Sequence, residues 1–272
     1  MPDAAEARQF SISAVLVAGG SGSRFASQSH QTNTATASEI KSDAKADIRA
    51  NSPSEPKQFQ PLNGYRLYIW SLSRLYKNDR IENIVVTVPA YFVDEIRREL
   101  EVIYPDQFAS RISVIAGGST RQESVYKGLS KLSELGKPDF VLVHDAARPF
   151  ISEKTIEDAI ATVTARGACT IATPVSDTLK RVEQDKICQT INREHLFAVQ
   201  TPQAAPFELL WQCHQEAAAL GIGVTDDAAI LEHFGHEVVI FAGSNNNIKV
   251  TVVDDMRACE LLASLYLPDT PL

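Results

Sequence analysis

Five short stretches of this chain are built around apolar runs: ISAVLVA (12–18), IENIVVTVP (81–89), RISVIAG (111–117), DFVLVHD (139–145) and EVVIFAG (237–243). Runs of this length, rich in Val and Ile and without polar alternation, read as strands covered on both faces. Between them the apolar residues recur at helical spacing. That periodicity predicts helices near 66–77, over 91–104, from about 120 to 135, over 152–167, near 207–220, over 226–234 and from about 254. Strands alternating with helices give an α/β fold, a Rossmann-like three-layer arrangement with a largely parallel central sheet and helices on both sides. No internal repeat interrupts the pattern, and residues 1–272 read as one domain.

The pattern breaks twice. Residues 26–55 hold almost no large apolar side chain and are rich in Ser, Ala, Thr, Asn and Gln, so they bury too little to offset their ordering entropy. They read as a polar, flexible surface insertion. A lid is the other reading, because the segment leaves directly from a glycine-rich turn. Residues 175–195 contain DTLKRVEQDKICQTI, two short polar strands around Glu183-Gln184-Asp185-Lys186. A hairpin of that size is marginal alone and usually packs on a partner, so it reads as a projecting β-arm for dimerisation.

Charge and cysteine usage narrow the function classes. The net charge of −8 argues against a general nucleic-acid binder. The four cysteines form no C-x-x-C pair and read as reduced thiols. No apolar run reaches the ~18 residues of a membrane span, and MPDAAEARQF does not read as a secretory leader. The expected setting is the cytoplasm.

In a parallel sheet, ligands collect at the carboxyl ends of the strands. The loops there are Ala18–Arg24, Ala116–Arg121 and His144–Pro149. In the first, Gly19, Gly20 and Gly22 let backbone N–H groups approach an anion closely, and Arg24 adds a forked cation. The loop is neither a dinucleotide fingerprint, which needs glycine where Phe25 stands, nor a P-loop. Arg24, Lys57, Arg121, Arg148 and Lys249 with Asp145 and Asp226 suit a polyphosphate and its Mg²⁺, since magnesium takes few protein oxygens and shares the rest with phosphates. No nucleophile elbow and no metal-spaced His/Cys cluster signals covalent or zinc chemistry. Plainer readings stand beside these. Lys57 suits a solvated loop, Asp145 a turn cap, His144 a packed strand end and Asp226 a helix N-cap. Arg121, at a helix start, implies an anionic neighbour.

The ordered set AGGSGSRF, PKQF, AGGSTRQESV, HDAARPF, PVSDTLKR, TPQ, TDD and NIKVT, spanning about residues 12–266, resembles the 2-C-methyl-D-erythritol 4-phosphate cytidylyltransferases of the non-mevalonate isoprenoid pathway. The chain departs from that family at the 26–55 insertion, at Val17 and Gly19, and at Phe197, where tryptophan is common. The resemblance implies that methylerythritol phosphate attacks the α-phosphorus of CTP and displaces pyrophosphate. It gives the phosphates to Arg24, Lys57 and Lys249, with Mg²⁺ anchored by Asp145. It gives the cytosine to Ala18, Gly117, Gly118 and Ser124, and the ribose side to Asp145 and Ala146. For the acceptor it implies Thr178, Arg193, Thr201 and Thr225, with Arg193 reaching across a homodimer. Two alternatives share the CTP half: a ribitol- or other polyol-phosphate cytidylyltransferase, and a non-catalytic CTP sensor.

Overall fold

The computed structural model describes residues 10–19, 56–105 and 108–266. Gly20, Gly22, Arg24 and the polar segment 26–55 lie outside the described residues. In chain order the strands are β1 (Ile12–Val17), β2 (Pro61–Leu62), β3 (Tyr65–Arg66), β4 (Ile81–Val88), β5 (Ile112–Ala116) and β6 (Phe140–Asp145). They continue with β7 (Cys169–Pro174), β8 (Leu179–Glu183), β9 (Lys186–Ile191), β10 (Phe197–Pro206) and β11 (Val239–Ala242). The helices are α1 (Leu67–Tyr76), α2 (Val93–Ile103), α3 (Phe108–Arg111), α4 (Arg121–Leu135), α5 (Glu153–Arg166), α6 (Phe207–Leu220), α7 (Asp227–His233) and α8 (Val253–Tyr266).

All six residues of β1 are buried because the strand is paired in parallel on both edges, Val15 lying opposite Val85 of β4 and Val143 of β6. The seven-stranded sheet runs β11-β7-β10-β6-β1-β4-β5. Alternate β1 side chains face opposite layers. Ile12, Ala14 and Leu16 pack with Ile69 and Leu72 of α1, Leu100 of α2 and Ile156 and Ile160 of α5. Val15 and Val17 pack with Val125 and Leu129 of α4, Leu210 of α6 and Ile230 of α7. Each fully buried Leu, Ile or Val contributes roughly 1.5–3 kcal/mol. Gly128 is what brings α4 so close, since a Cβ there would stand 2.5 Å from Val15 Cγ1.

The expected helices and strands are present, and the sheet has the layers that the pattern implies. Neither β7 nor β10 stands out in the pattern. FAVQTPQAAP carries two prolines and no clean alternation, yet it lies antiparallel between β6 and β7 with residues 201–205 buried. Its place is decided by its neighbours. The 175–195 segment forms the expected hairpin: among the described residues β8 pairs with β9 in a separate two-stranded sheet, and Gln184 and Asp185 turn it with φ of 48° and 62°.

A third cluster sets the position of the site. Val250 and Met256 pack with Trp70 and with Ala147 and Phe150 beyond β6. The Val250 N–H donates to Ala147 O at 2.9 Å, so the NIKVT segment is laid against the loop that follows Asp145.

Candidate active site

The chain leaves β1 toward β4 on one side and reaches β6 on the other, so the carboxyl end of β1 is the point where loops diverge. Ala18 continues the ladder through its N–H to Thr87 O at 2.8 Å, and Gly117 does the same to Val88 O at 2.7 Å. The buried Gln58 of the PKQF motif donates to Ala18 O at 2.6 Å and ties that motif to the glycine loop.

Gly19 and Gly117 face each other across Ser124. A Cβ on either would stand 2.6 or 2.8 Å from Ser124 Oγ, which explains glycine at both places. Ser124 is fully buried; its hydroxyl donates to Thr120 O at 2.8 Å and accepts the Gly118 N–H at 3.0 Å. The hydroxyl proton is therefore spent on the loop, and Ser124 shapes this wall from behind. Thr120 caps α4 by accepting the Glu123 N–H at 3.0 Å, and the Glu123 carboxylate accepts the N–H of Ser119, the residue before the cap, at 2.6 Å.

The charged half lies beside it, in a cleft of about 190 Å³ lined by Arg121, Asp145, Arg148, Thr201, Gln203, Thr225, Asp226 and Lys249, with Val199 and Gln200. Asp145 ends β6 with both oxygens engaged. Oδ1 accepts from Arg121 Nε at 2.9 Å and Oδ2 from Lys249 Nζ at 2.6 Å. Burial alone would raise its pKa; the Arg121 and Lys249 charges outweigh that and hold the carboxyl well below the usual range. Arg121 also donates through Nη1 to the buried Asp227 at 2.8 Å. Burial disfavours its charge too, but Asp227 and Asp145 more than restore it.

His144 is locked beneath this cleft. Its Nε2 faces Arg148 O at 3.2 Å, an acceptor, so Nε2 carries the proton and Nδ1 accepts from Thr201 Oγ1 at 3.0 Å. Thr201 Oγ1 in turn accepts the Asp145 N–H at 3.1 Å. Burial brings the imidazole pKa down to about 4. Both nitrogens are occupied, so His144 is a packed strand-end histidine. Asp226 accepts the Ala229 N–H at 3.0 Å and is an N-cap as well as a cleft residue.

The fold thus brings Asp145, Lys249, Thr201 and Thr225 together. Ala146 sits behind them, fully buried, with its N–H on Val17 O at 3.0 Å. Lys57 does not line the cleft; its ammonium donates to Val250 O, next to Lys249. Thr178 and Arg193 are exposed at the base of the arm and are not among the residues that line this cleft. Asp227, Gln203 and His214 acquire structural partners here that sequence reasoning did not assign, although TPQ and TDD contain the first two. Gln203 Oε1 accepts the N–H groups of Asp227 and Ala228 at 2.8 and 3.1 Å.

The sequence model of the 2-C-methyl-D-erythritol 4-phosphate cytidylyltransferase family matches residues 47–264. A protein of that name from Clostridium novyi (strain NT) is 38% identical over 202 residues, 74% of this chain and 85% of the relative. One from Clostridium botulinum (strain Eklund 17B / Type B) is 32% identical over 254 residues, 93% of this chain and 99% of the relative. The crystal structure of 4-diphosphocytidyl-2C-methyl-D-erythritol synthase from Anaerococcus prevotii shares the fold, with a TM-score of 0.72 at 24% identity over 93% of this chain and 96% of that one. Sequence and fold agree, and the chain belongs to the 2-C-methyl-D-erythritol 4-phosphate cytidylyltransferase family.

Proposed function

We propose that the cleft between the Gly19–Gly117 wall and Lys249 is where this cytidylyltransferase carries out the family reaction, transfer of CMP from CTP to 2-C-methyl-D-erythritol 4-phosphate with release of pyrophosphate. The observation that carries the reading is the buried Asp145 carboxylate, held between Arg121 and Lys249 at the carboxyl end of β6, beside a wall that only glycines can form. The acceptor's phosphate monoester is largely dianionic at neutral pH, its second pKa being ~6. One of its oxygens forms the new bond to the α-phosphorus while the bond to the β-phosphate oxygen breaks, so no general base is required. The doubly hydrogen-bonded His144 agrees with that. The protein's task is to align the phosphates and neutralise charge. Lys249 is half-exposed in the cleft and suited to reach phosphate oxygens, and Lys57 lies against the same segment. Arg24, on the glycine loop, is the third cation of this set.

The residues fit a Mg²⁺ that arrives on the triphosphate. Among the described residues no three His, Cys, Asp or Glu side chains gather into a site that would hold a metal alone. A single carboxylate, Asp145, suffices for an ion that takes its other ligands from phosphate and water. Asp145 would hold such an ion, which would supply positive charge to the reacting phosphates.

A homodimer completes the site. Val182 and Ile187 project from the arm at 53% and 66% exposure, an apolar surface suited to a second copy. Thr178 and Arg193 are exposed and do not line their own cleft, and the arm delivers them to the neighbouring subunit's acceptor.

Pyrophosphate release from CTP tests the reading. Turnover with methylerythritol phosphate and Mg²⁺, lost with EDTA and restored by added Mg²⁺, is the expected result. Turnover with ribitol 5-phosphate alone, or CTP binding without turnover, overturns it.

A further inference from the structure

Arg121 is the first residue of α4, where the aligned peptide dipoles disfavour a cation. Two carboxylates from different elements compensate: Asp145 at the end of β6, 2.9 Å from Nε, and Asp227 at the start of α7, 2.8 Å from Nη1. Asp227 is 2% exposed and does not line the cleft. Its other oxygen lies 3.1 Å from Nε2 of the buried His214, and its backbone is clamped by Gln203 of β10. A line of alternating charge therefore runs from beneath α7 into the cleft: Asp227, Arg121, Asp145, Lys249.

We propose that Asp227 is a positioning residue for cytidylyl transfer, acting through Arg121 on Asp145; the proposal rests on the reading of the cleft above. A guanidinium prefers to grip a carboxylate with two parallel N–H groups. Asp227 holds Nη1, and Asp145 accepts from Nε through Oδ1 alone, while Nη2, the donor that would complete the fork on Asp145, is buried without a hydrogen-bond partner. Oδ2 is thereby left to Lys249, which opens on the cleft, and to the incoming nucleotide. Without the Asp227 charge, Arg121 keeps only Asp145, closes on both its oxygens, and withdraws the carboxylate from Lys249. The line also loses its balance of two negative and two positive charges, leaving a buried cation undercompensated.

The test combines Asp227→Asn, Asp227→Glu, Arg121→Ala and the double variant Asp227→Asn/Arg121→Ala. Each is measured by steady-state kinetics, by CTP binding calorimetry without acceptor, and by thermal melting. Asp227→Asn should lower kcat/KM for CTP on the order of tenfold, the scale of coupling within one charge network. Asp227→Glu, which keeps the charge, should restore most of it. The double variant should be no worse than Arg121→Ala alone. A folded Asp227→Asn protein with wild-type kcat, KM and CTP affinity, or losses that add in the double variant, would overturn the proposal. Should Asp227→Asn not fold, Arg121→Lys poses the same question, because it keeps the charge but reaches only one carboxylate; unchanged kinetics there overturn the proposal equally. An inactive wild-type protein would instead refute the assigned reaction, while the calorimetric cycle would still report whether Asp227 and Arg121 act together.

Discussion

His144 and Asp145 are adjacent and both buried, yet their environments drive them in opposite directions: the imidazole is kept neutral and the carboxylate ionised. Burial dominates for His144, whose partners are a carbonyl and a hydroxyl. For Asp145 two cations overcome it. The sign of the pH effect follows. The folded imidazole has a pKa of about 4 against 6.5 unfolded, so between those values only the unfolded chain takes up the proton, and stability falls as pH falls. From pH 7 to 5 this single group should remove about 2 kcal/mol, at 1.36 kcal/mol per pKa unit. Urea titrations of the wild type and of His144→Gln check it, since the variant should start less stable at pH 7 and lose less on acidification. Asp145 and Asp227, whose folded pKa values are depressed, add their loss below about pH 5, where the unfolded carboxyls begin to protonate.

At the level of elements, α7 shows how a short helix is placed. Its seven residues are too few to be stable alone. Asp226 caps it, and Gln203 Oε1 accepts the next two N–H groups while Gln203 Nε2 donates to Asp226 Oδ2 at 2.9 Å and Thr170 Oγ1 at 3.1 Å. One β10 side chain thus holds the helix that carries Asp227. Gln203→Ala should cost about 1–3 kcal/mol for the buried N–H groups it leaves unpaired, read from the denaturant midpoint, and kcat/KM for CTP should fall with it because Asp227 shifts. The cap was legible in the sequence, since Asp before a helical run is a strong signal. The clamp was not. Gln203 lies 24 positions before Asp227 in a strand that the apolar pattern does not mark.

For the whole molecule, the prediction concerns the partner. If the arm carries Thr178 and Arg193 into the neighbouring site, Arg193→Ala and Lys249→Ala homodimers are each inactive, but mixing and exchanging them creates heterodimers with one intact site. Random exchange in equal amounts should recover about a quarter of wild-type activity, as two-fold symmetry requires. No recovery despite demonstrated subunit exchange, or a fully active monomer in sedimentation, would place Arg193 outside the chemistry.

Local sequence determined the alternation of strands and helices, the cap at Asp226, the hairpin turn at Gln184 and Asp185, and the motifs that mark the family. Those features depend on residues close together in the chain. Tertiary structure decided that Phe197–Pro206 enters the sheet, that Ser124 backs the glycine wall, and that Arg121 is shared by Asp145 and Asp227, 24 and 106 residues away. Burial and long-range pairing settle those placements, because the charge and hydrogen-bond partners of a strand-end residue come from whichever elements the sheet order sets beside it.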